Sequence, residues 1–233
     1  MEGRSPGDLE AAAAGGDVQY LLEALREPDF EVRKAAAQGL GEVGGEKANL
    51  ALLAVARDRW GERPDVRIAA LRSLGRIHER DRYMSILQRF ITGDNKKVMA
   101  AARGMLREVD PAGFPRLLAA SGALDHAAIR VYGVGREPSA VPLLGRFLDD
   151  SRQAGDIATS GNWGKVYAAA RALGNIGGPE AVKTLRRLVA ALERHKAGSR
   201  DALTRGRIEK MMGAARSSLR LAGNGPEGFS REL

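Results

Sequence analysis

The residues of this chain with most chemistry to offer are arginines that recur at fixed places in a repeated motif. Arg72 and Arg171 hold the position occupied by Gln38 in the first copy, and Arg103 and Arg216 hold the neighbouring position of Ala37. One helical turn on, at the position of Gly41, stand Arg107 and Arg220. Placed on the flank of a helix away from its apolar stripe, these guanidiniums form a ladder with a step of about 10 Å, the usual distance between packed helices. Such a ladder can grip carboxylates or phosphates through paired N–H donors. Arg187 joins them as a candidate contact for an acidic partner. Both tryptophans, Trp60 and Trp163, fall in the enlarged connections 57–64 and 149–163, and a third enlarged connection covers 194–205. A large amphipathic side chain on a turn can anchor a partner. The alternative for each tryptophan is packing, and it is the reading favoured for both; Trp163 aligns with Phe30 at the start of a helix, where an apolar residue staples the entry. Tyr167 follows Trp163 at helical i, i+4 spacing.

Other chemistries find no footing. Cysteine is absent, which excludes a disulfide scaffold, a zinc ribbon and a thiol nucleophile. His78, His126 and His195 are scattered, and His78-Glu79 lacks the second histidine of a zinc-protease motif, so no metal site is expected. Gly39-Leu-Gly-Glu-Val-Gly44 spells G-x-G-x-x-G, but a dinucleotide loop follows a strand and opens a helix, whereas this stretch ends one. There is no phosphate-binding loop or nucleophile elbow, and no cofactor is expected. The longest apolar run, Leu50 to Ala56, is too short to span a bilayer. The first residues show neither a basic nor an apolar signal region, so a cytoplasmic location without a membrane partner is expected.

The elements that position these residues announce themselves by repetition. Val32-Arg-Lys-Ala-Ala-Ala-Gln-Gly-Leu-Gly-Glu-Val-Gly44 returns as Val66-Arg-Ile-Ala-Ala-Leu-Arg-Ser-Leu-Gly-Arg-Ile77 and as Val98-Met-Ala-Ala-Ala-Arg-Gly-Met-Leu-Arg-Glu-Val109. Ala168-Ala-Ala-Arg-Ala-Leu-Gly-Asn-Ile-Gly177 is a further copy, with weaker ones at 127–135 and 211–219. Val32, Ala36, Leu40 and Val43 form one helical stripe. The trailing Gly44 and Gly177 supply the positive φ that ends a helix. A second apolar-periodic stretch precedes each copy, giving a unit of helix A, turn, helix B, used six times. The fold expected is all-α, with no strand.

The motif resembles the short HEAT-like repeats of phycobilisome lyases, V-R-x-x-A-A-x-A-L-G-x-I-G, over about residues 17–222. That resemblance implies a right-handed α-solenoid of about six helix pairs whose B helices line a concave face. Residues 1–16 are then an N-terminal tail or cap, and 223–233 a flexible C-terminal tail. Arg33 and Arg67 hold the repeat's own arginine position and are expected to bridge to acids at the preceding turns, such as Glu27 and Asp29 or Glu62 and Asp65.

The chain has 233 residues and a formal net charge of +8. Its charge is uneven: residues 1–31 hold eight acids and two bases, and residues 183–220 hold eleven bases and three acids. Such a field attracts an acidic protein surface or a polyanion. A family of HEAT-like alkylpurine DNA glycosylases is similar in size, basicity and concave arginines. Those enzymes use groove aromatics with an aspartate; Trp163 and Tyr167 have no Asp on their helical face here. The expectation is therefore a non-enzymatic scaffold holding a protein partner with an acidic surface, with nucleic-acid backbone binding by the same arginines as the alternative.

Overall fold

The computed structural model describes residues 4–93, 95–153, 157–158 and 161–223. Its chain divides into two compact units, Met1–Ala112 and Gly113–Leu233. Among the described residues there are thirteen α-helices and one short 3-10 turn, and no strand.

The first unit holds α1 (Pro6–Gly15) and three hairpins: α2 (Val18–Ala24) with α3 (Phe30–Val43), α4 (Gly45–Arg57) with α5 (Pro64–Ile77), and α6 (Arg80–Gln88) with α7 (Lys96–Val109). The second helices stack in order, α3 on α5 and α5 on α7. Their anchoring leucines, Leu40, Leu74 and Leu106, are fully buried, each worth about 2 kcal/mol of transfer from water. Val32 and Ala36 are buried with them, while Val43 at the helix end is half-exposed. Gly44 ends α3 with φ 72°, as the repeat motif requires. Residues 6–15 are a capped helix rather than a frayed segment. Ser5 and Asp8 close a reciprocal capping box, and Leu9 and Ala13 are buried. Helix α1 packs on α3 and α2.

The second unit repeats the plan with α8 (Phe114–Ala120) and α9 (His126–Val134), α10 (Val141–Gln153) and α11 (Trp163–Ile176), and α12 (Pro179–Gly198) and α13 (Ala202–Gly223). Here α9 packs on α11 and α11 on α13. Leu173 is fully buried, and Gly177 ends α11 at φ 75°. Six hairpins in two units, each a stack of paired helices, make an all-α solenoid-type repeat fold.

One of the expected enlarged connections, 194–205, proves to be largely helix, since α12 runs through Gly198 and leaves only 199–201 before α13. Of the connection expected at 149–163, residues 149–153 belong to α10. The sequences Arg-His-Lys-Ala and Asp-Asp-Ser-Arg are polar but carry no helix breaker, so the helices continue past their apolar stripes. Within the connection after α10, residues 154–156 and 159–160 lie outside the described residues, as does the expected C-terminal tail beyond Gly223.

Candidate functional site

Helix register decides which arginines are available. In α3 and α5 the position of Ala37 is fully buried (Ala37, Leu71), and in α11 its counterpart Ala170 is too. This position faces a neighbouring helix rather than solvent, so the expected ladder does not form as drawn. Arg103 shows the consequence. It is only 9 % exposed, and its Nε donates to the carbonyl of Ile91 at 2.8 Å. The guanidinium ties α7 to the chain just after α6 and belongs to the scaffold. Arg107, one turn on, is exposed.

The position of Gln38 faces solvent. Gln38 and Arg72 lie exposed on α3 and α5, and Arg171 is exposed on α11. Beside Gln38 and Arg72, Arg76 bridges to Glu42 at 3.0 Å across the same two helices. Arg72 also stands near the Tyr83 phenol, which is buried and donates to the Met105 sulfur. Burial, with Glu108 adding to it and Arg72 opposing it, pushes Tyr83 up to about 12.

In the second unit the candidates separate. Arg187 lies on α12 and pairs with Asp149 of α10 at 3.1 Å. Arg216 pairs with Glu193 at 2.9 Å, and Arg220 is exposed near the end of α13. Helix α13 packs on α11 and α12, and both arginines lie on its exposed side. Trp163 opens α11 half-buried against the start of α13, beside Leu203, Gly206 and Lys210. Like Phe30 at the start of α3, it is half-buried. Tyr167 is half-buried one turn on.

Trp60 is different: it is 93 % exposed. The turn that carries it is nonetheless well tied. Asp58 accepts from the backbone N–H of Trp60 (3.2 Å) and of Gly61 (2.8 Å). Glu62 takes a two-pronged grip from Arg33, at 2.8 and 2.9 Å, and the Arg33 guanidinium also donates to the carbonyls of Glu27 and Pro28. The acid bridged by Arg33 thus comes from the following turn, not the preceding one. Arg63 lies 3.8 Å over the Phe30 ring, and Pro64 starts α5. An apolar side chain is therefore held out into water by an ordered turn.

Arg67, at the same repeat position as Arg33, makes no acid bridge among the described residues. It is buried, and its Nε donates to the Ala56 carbonyl at 3.0 Å. With Arg57, Arg59 and Arg89 it lines one cavity of about 280 Å³. Arg57, Arg59 and Arg89 lie at helix ends and turns, outside the repeat motif, which is why register alone did not single them out. Among the described residues no group of His, Cys, Asp and Glu is placed to hold a metal ion, and no helix is long and apolar enough to cross a membrane.

Comparison with known proteins bears on the fold. Among solved structures, human deoxyhypusine hydroxylase in complex with glycerol is similar at 18 % identity, covering 90 % of this chain and 88 % of that one, with a TM-score of 0.39. A designed armadillo repeat protein is similar at 16 % identity, covering 85 % and 99 %, with a TM-score of 0.34. An engineered protein from a structural genomics consortium is similar at 21 % identity, covering 92 % and 85 %, with a TM-score of 0.28. Scores this low carry no argument about activity. No curated protein matches the chain. The family described as HEAT repeats matches residues 18–107, and the PBS lyase HEAT-like repeat matches residues 166–191. The first match spans α2 to α7 and the second spans the end of one hairpin and the start of the next, where the stacked helices were found: the chain is a HEAT-like repeat protein.

Proposed function

We propose that this protein is a non-enzymatic binding scaffold that holds a protein partner with an acidic surface. In the first unit the partner would lie across the turn carrying Trp60 and the exposed arginines Arg72 and Arg107. The observation that carries this reading is Trp60 itself. Leaving an indole in water forgoes roughly 2–3 kcal/mol of burial, and an ordered turn that presents it suits an interface anchor. Arg72 and Arg107, exposed on α5 and α7, would supply attraction for acidic groups.

A pull-down from lysate with and without nuclease, comparing wild type, Trp60→Ala and Arg72→Glu/Arg107→Glu, tests the reading. The expected result is nuclease-resistant capture of one defined protein, identified by mass spectrometry and reconstituted with the purified pair. Both variants would lose it while their circular dichroism stays unchanged. Arg103 is kept out of the variant because reversing a buried charge would report on folding. Retention of DNA or RNA alone, with binding that falls steeply as salt rises, would replace the scaffold reading with nucleic-acid backbone binding.

A further inference from the structure

The positive charge of the chain is confined to one of its units. Residues 1–112 hold eighteen acids and eighteen bases, and residues 113–233 hold eleven acids and nineteen bases, so the whole surplus of +8 lies in the second unit. That count takes in every residue of the unit, including 154–156, 159–160 and 224–233, so no residue outside the described ones offsets it. Most of the surplus falls on α12 and α13, where residues 179–223 hold eleven bases and four acids.

The acids of this hairpin are already engaged. Glu193 of α12 pairs with Arg216 of α13 at 2.9 Å, and Glu209 of α13 pairs with Lys196 of α12 at 3.0 Å. These two bridges mark the exposed seam between the helices. Glu180 pairs with Lys183 within α12, and Asp201 caps the start of α13 by accepting from the Thr204 backbone N–H at 2.7 Å. Following the seam along each helix leads to further arginines. Arg186 lies two turns before Glu193, Arg205 one turn before Glu209, and Arg220 one turn after Arg216. Arg200 sits in the turn that joins the helices. All four are exposed, and none has an ion pair among the described residues.

The strip from Arg205 to Arg220 runs about 22 Å along α13. Over that length a nucleic-acid duplex presents about thirteen phosphate charges, and an extended acidic peptide about half as many. The exposed leucines of α13 lie off the strip. Leu203 and Leu221 are five full turns apart on the other edge of the exposed face, where Leu203 lines a recess with Trp163. The strip thus offers charge without an apolar anchor, which suits a phosphate backbone better than a protein interface.

We infer that the seam between α12 and α13 binds the phosphodiester backbone of a nucleic-acid duplex. Arg186, Arg205 and Arg220 contact phosphates along the strip and Arg200 does so at the turn. The Glu193–Arg216 and Lys196–Glu209 bridges hold the two helices in register. The surface uses none of Trp60, Arg72 and Arg107, so it stands whether or not those residues hold a protein partner.

The test is fluorescence anisotropy of the full chain, over a series of salt concentrations, with a labelled DNA duplex, the RNA duplex of the same sequence and a labelled poly-glutamate of matched charge. At least one duplex should bind at least about tenfold tighter than poly-glutamate near physiological salt, with an affinity that falls steeply as salt rises. The tighter duplex identifies the source of the backbone, and either supports the inference. Arg186→Gln/Arg220→Gln should lower the salt slope by about 2, one for each lost phosphate contact, and Arg200→Gln/Arg205→Gln should do the same at the other end of the strip. Arg116→Gln/Arg130→Gln removes the same charge from exposed sites on α8 and α9 and should leave the slope unchanged, as should Arg72→Gln/Arg107→Gln in the first unit. Thermal midpoints of all four variants should match wild type, since every position is exposed. Poly-glutamate bound as tightly as either duplex overturns the inference in favour of an acidic protein surface. An undiminished slope in both seam variants overturns it too, as does an equal reduction by either control pair.

Discussion

Gly41 of α3 lies so close to Ser73 of α5 that a Cβ at position 41 would stand 2.5 Å from the serine Cβ and 2.9 Å from its Cα. The second unit repeats the relationship, since a Cβ on Gly174 of α11 would stand 2.5 Å from the Cβ of Ser218 on α13. Both serines are buried. The glycine of the repeated Leu-Gly pair therefore sets the closest approach of consecutive helices within each stack, and the serine is the small residue it admits.

Gly41→Ala is accordingly expected to destabilise the protein. Forcing a methyl into that contact costs about 1–3 kcal/mol, and the better helix propensity of alanine recovers only about 1 kcal/mol of it. Ser73→Gly in the same chain removes the Cβ and Oγ contacts but leaves the Cα at 2.9 Å. It should therefore relieve part of the clash, and the double variant should be more stable than the sum of the two single changes. Urea unfolding of the four proteins measures this. A Gly41→Ala protein as stable as wild type would show that the helices are not held at this distance.

Arg103 and Arg107 are one helical turn apart and should respond to truncation in opposite ways. Arg103→Ala removes a buried stem and leaves the Ile91 carbonyl without its donor, a loss of about 2–3 kcal/mol. Arg107→Ala touches an exposed side chain and should stay within about 0.5 kcal/mol of wild type. Thermal unfolding of both variants checks the register of α7. Equal effects would mean that the assigned inward and outward faces are wrong.

Tyr83 gives the protein a distinctive alkaline limit. Its folded-state pKa is raised from 10.0 to about 12, chiefly by burial. Between these values the unfolded chain loses the phenolic proton while the folded chain keeps it, so unfolding releases a proton and stability falls as pH rises. The Tyr83 contribution is fully present below pH 10, declines by up to about 1.4 kcal/mol per pH unit above it, and is gone once the folded phenol ionises. Tyr83→Phe should lose the hydrogen bond to the Met105 sulfur and, in exchange, show a shallower decline between pH 10 and 12. Parallel slopes for wild type and Tyr83→Phe in chemical unfolding across that range would rule out a raised phenol.

The sequence by itself determined the helices, their pairing and their spine. Spacing along one chain is enough to show that Leu40, Leu74, Leu106 and Leu173 share a role, and glycine's tolerance of positive φ is enough to end α3 and α11 at Gly44 and Gly177. What a periodicity cannot contain is which flank of a helix meets its neighbour. That depends on how close the next helix comes, and the contacts at Gly41 and Gly174 bring it close enough to bury the position of Ala37. Tertiary packing therefore withdrew Arg103 into the scaffold, left Arg216 and Arg220 exposed on α13, and half-buried Trp163 while leaving Trp60 in water. It also gathered Arg57, Arg59, Arg67 and Arg89, which lie up to one whole repeat apart along the chain, around a single cavity. Residues brought together from helix ends and turns of different hairpins share no spacing rule, so only the folded chain makes them neighbours.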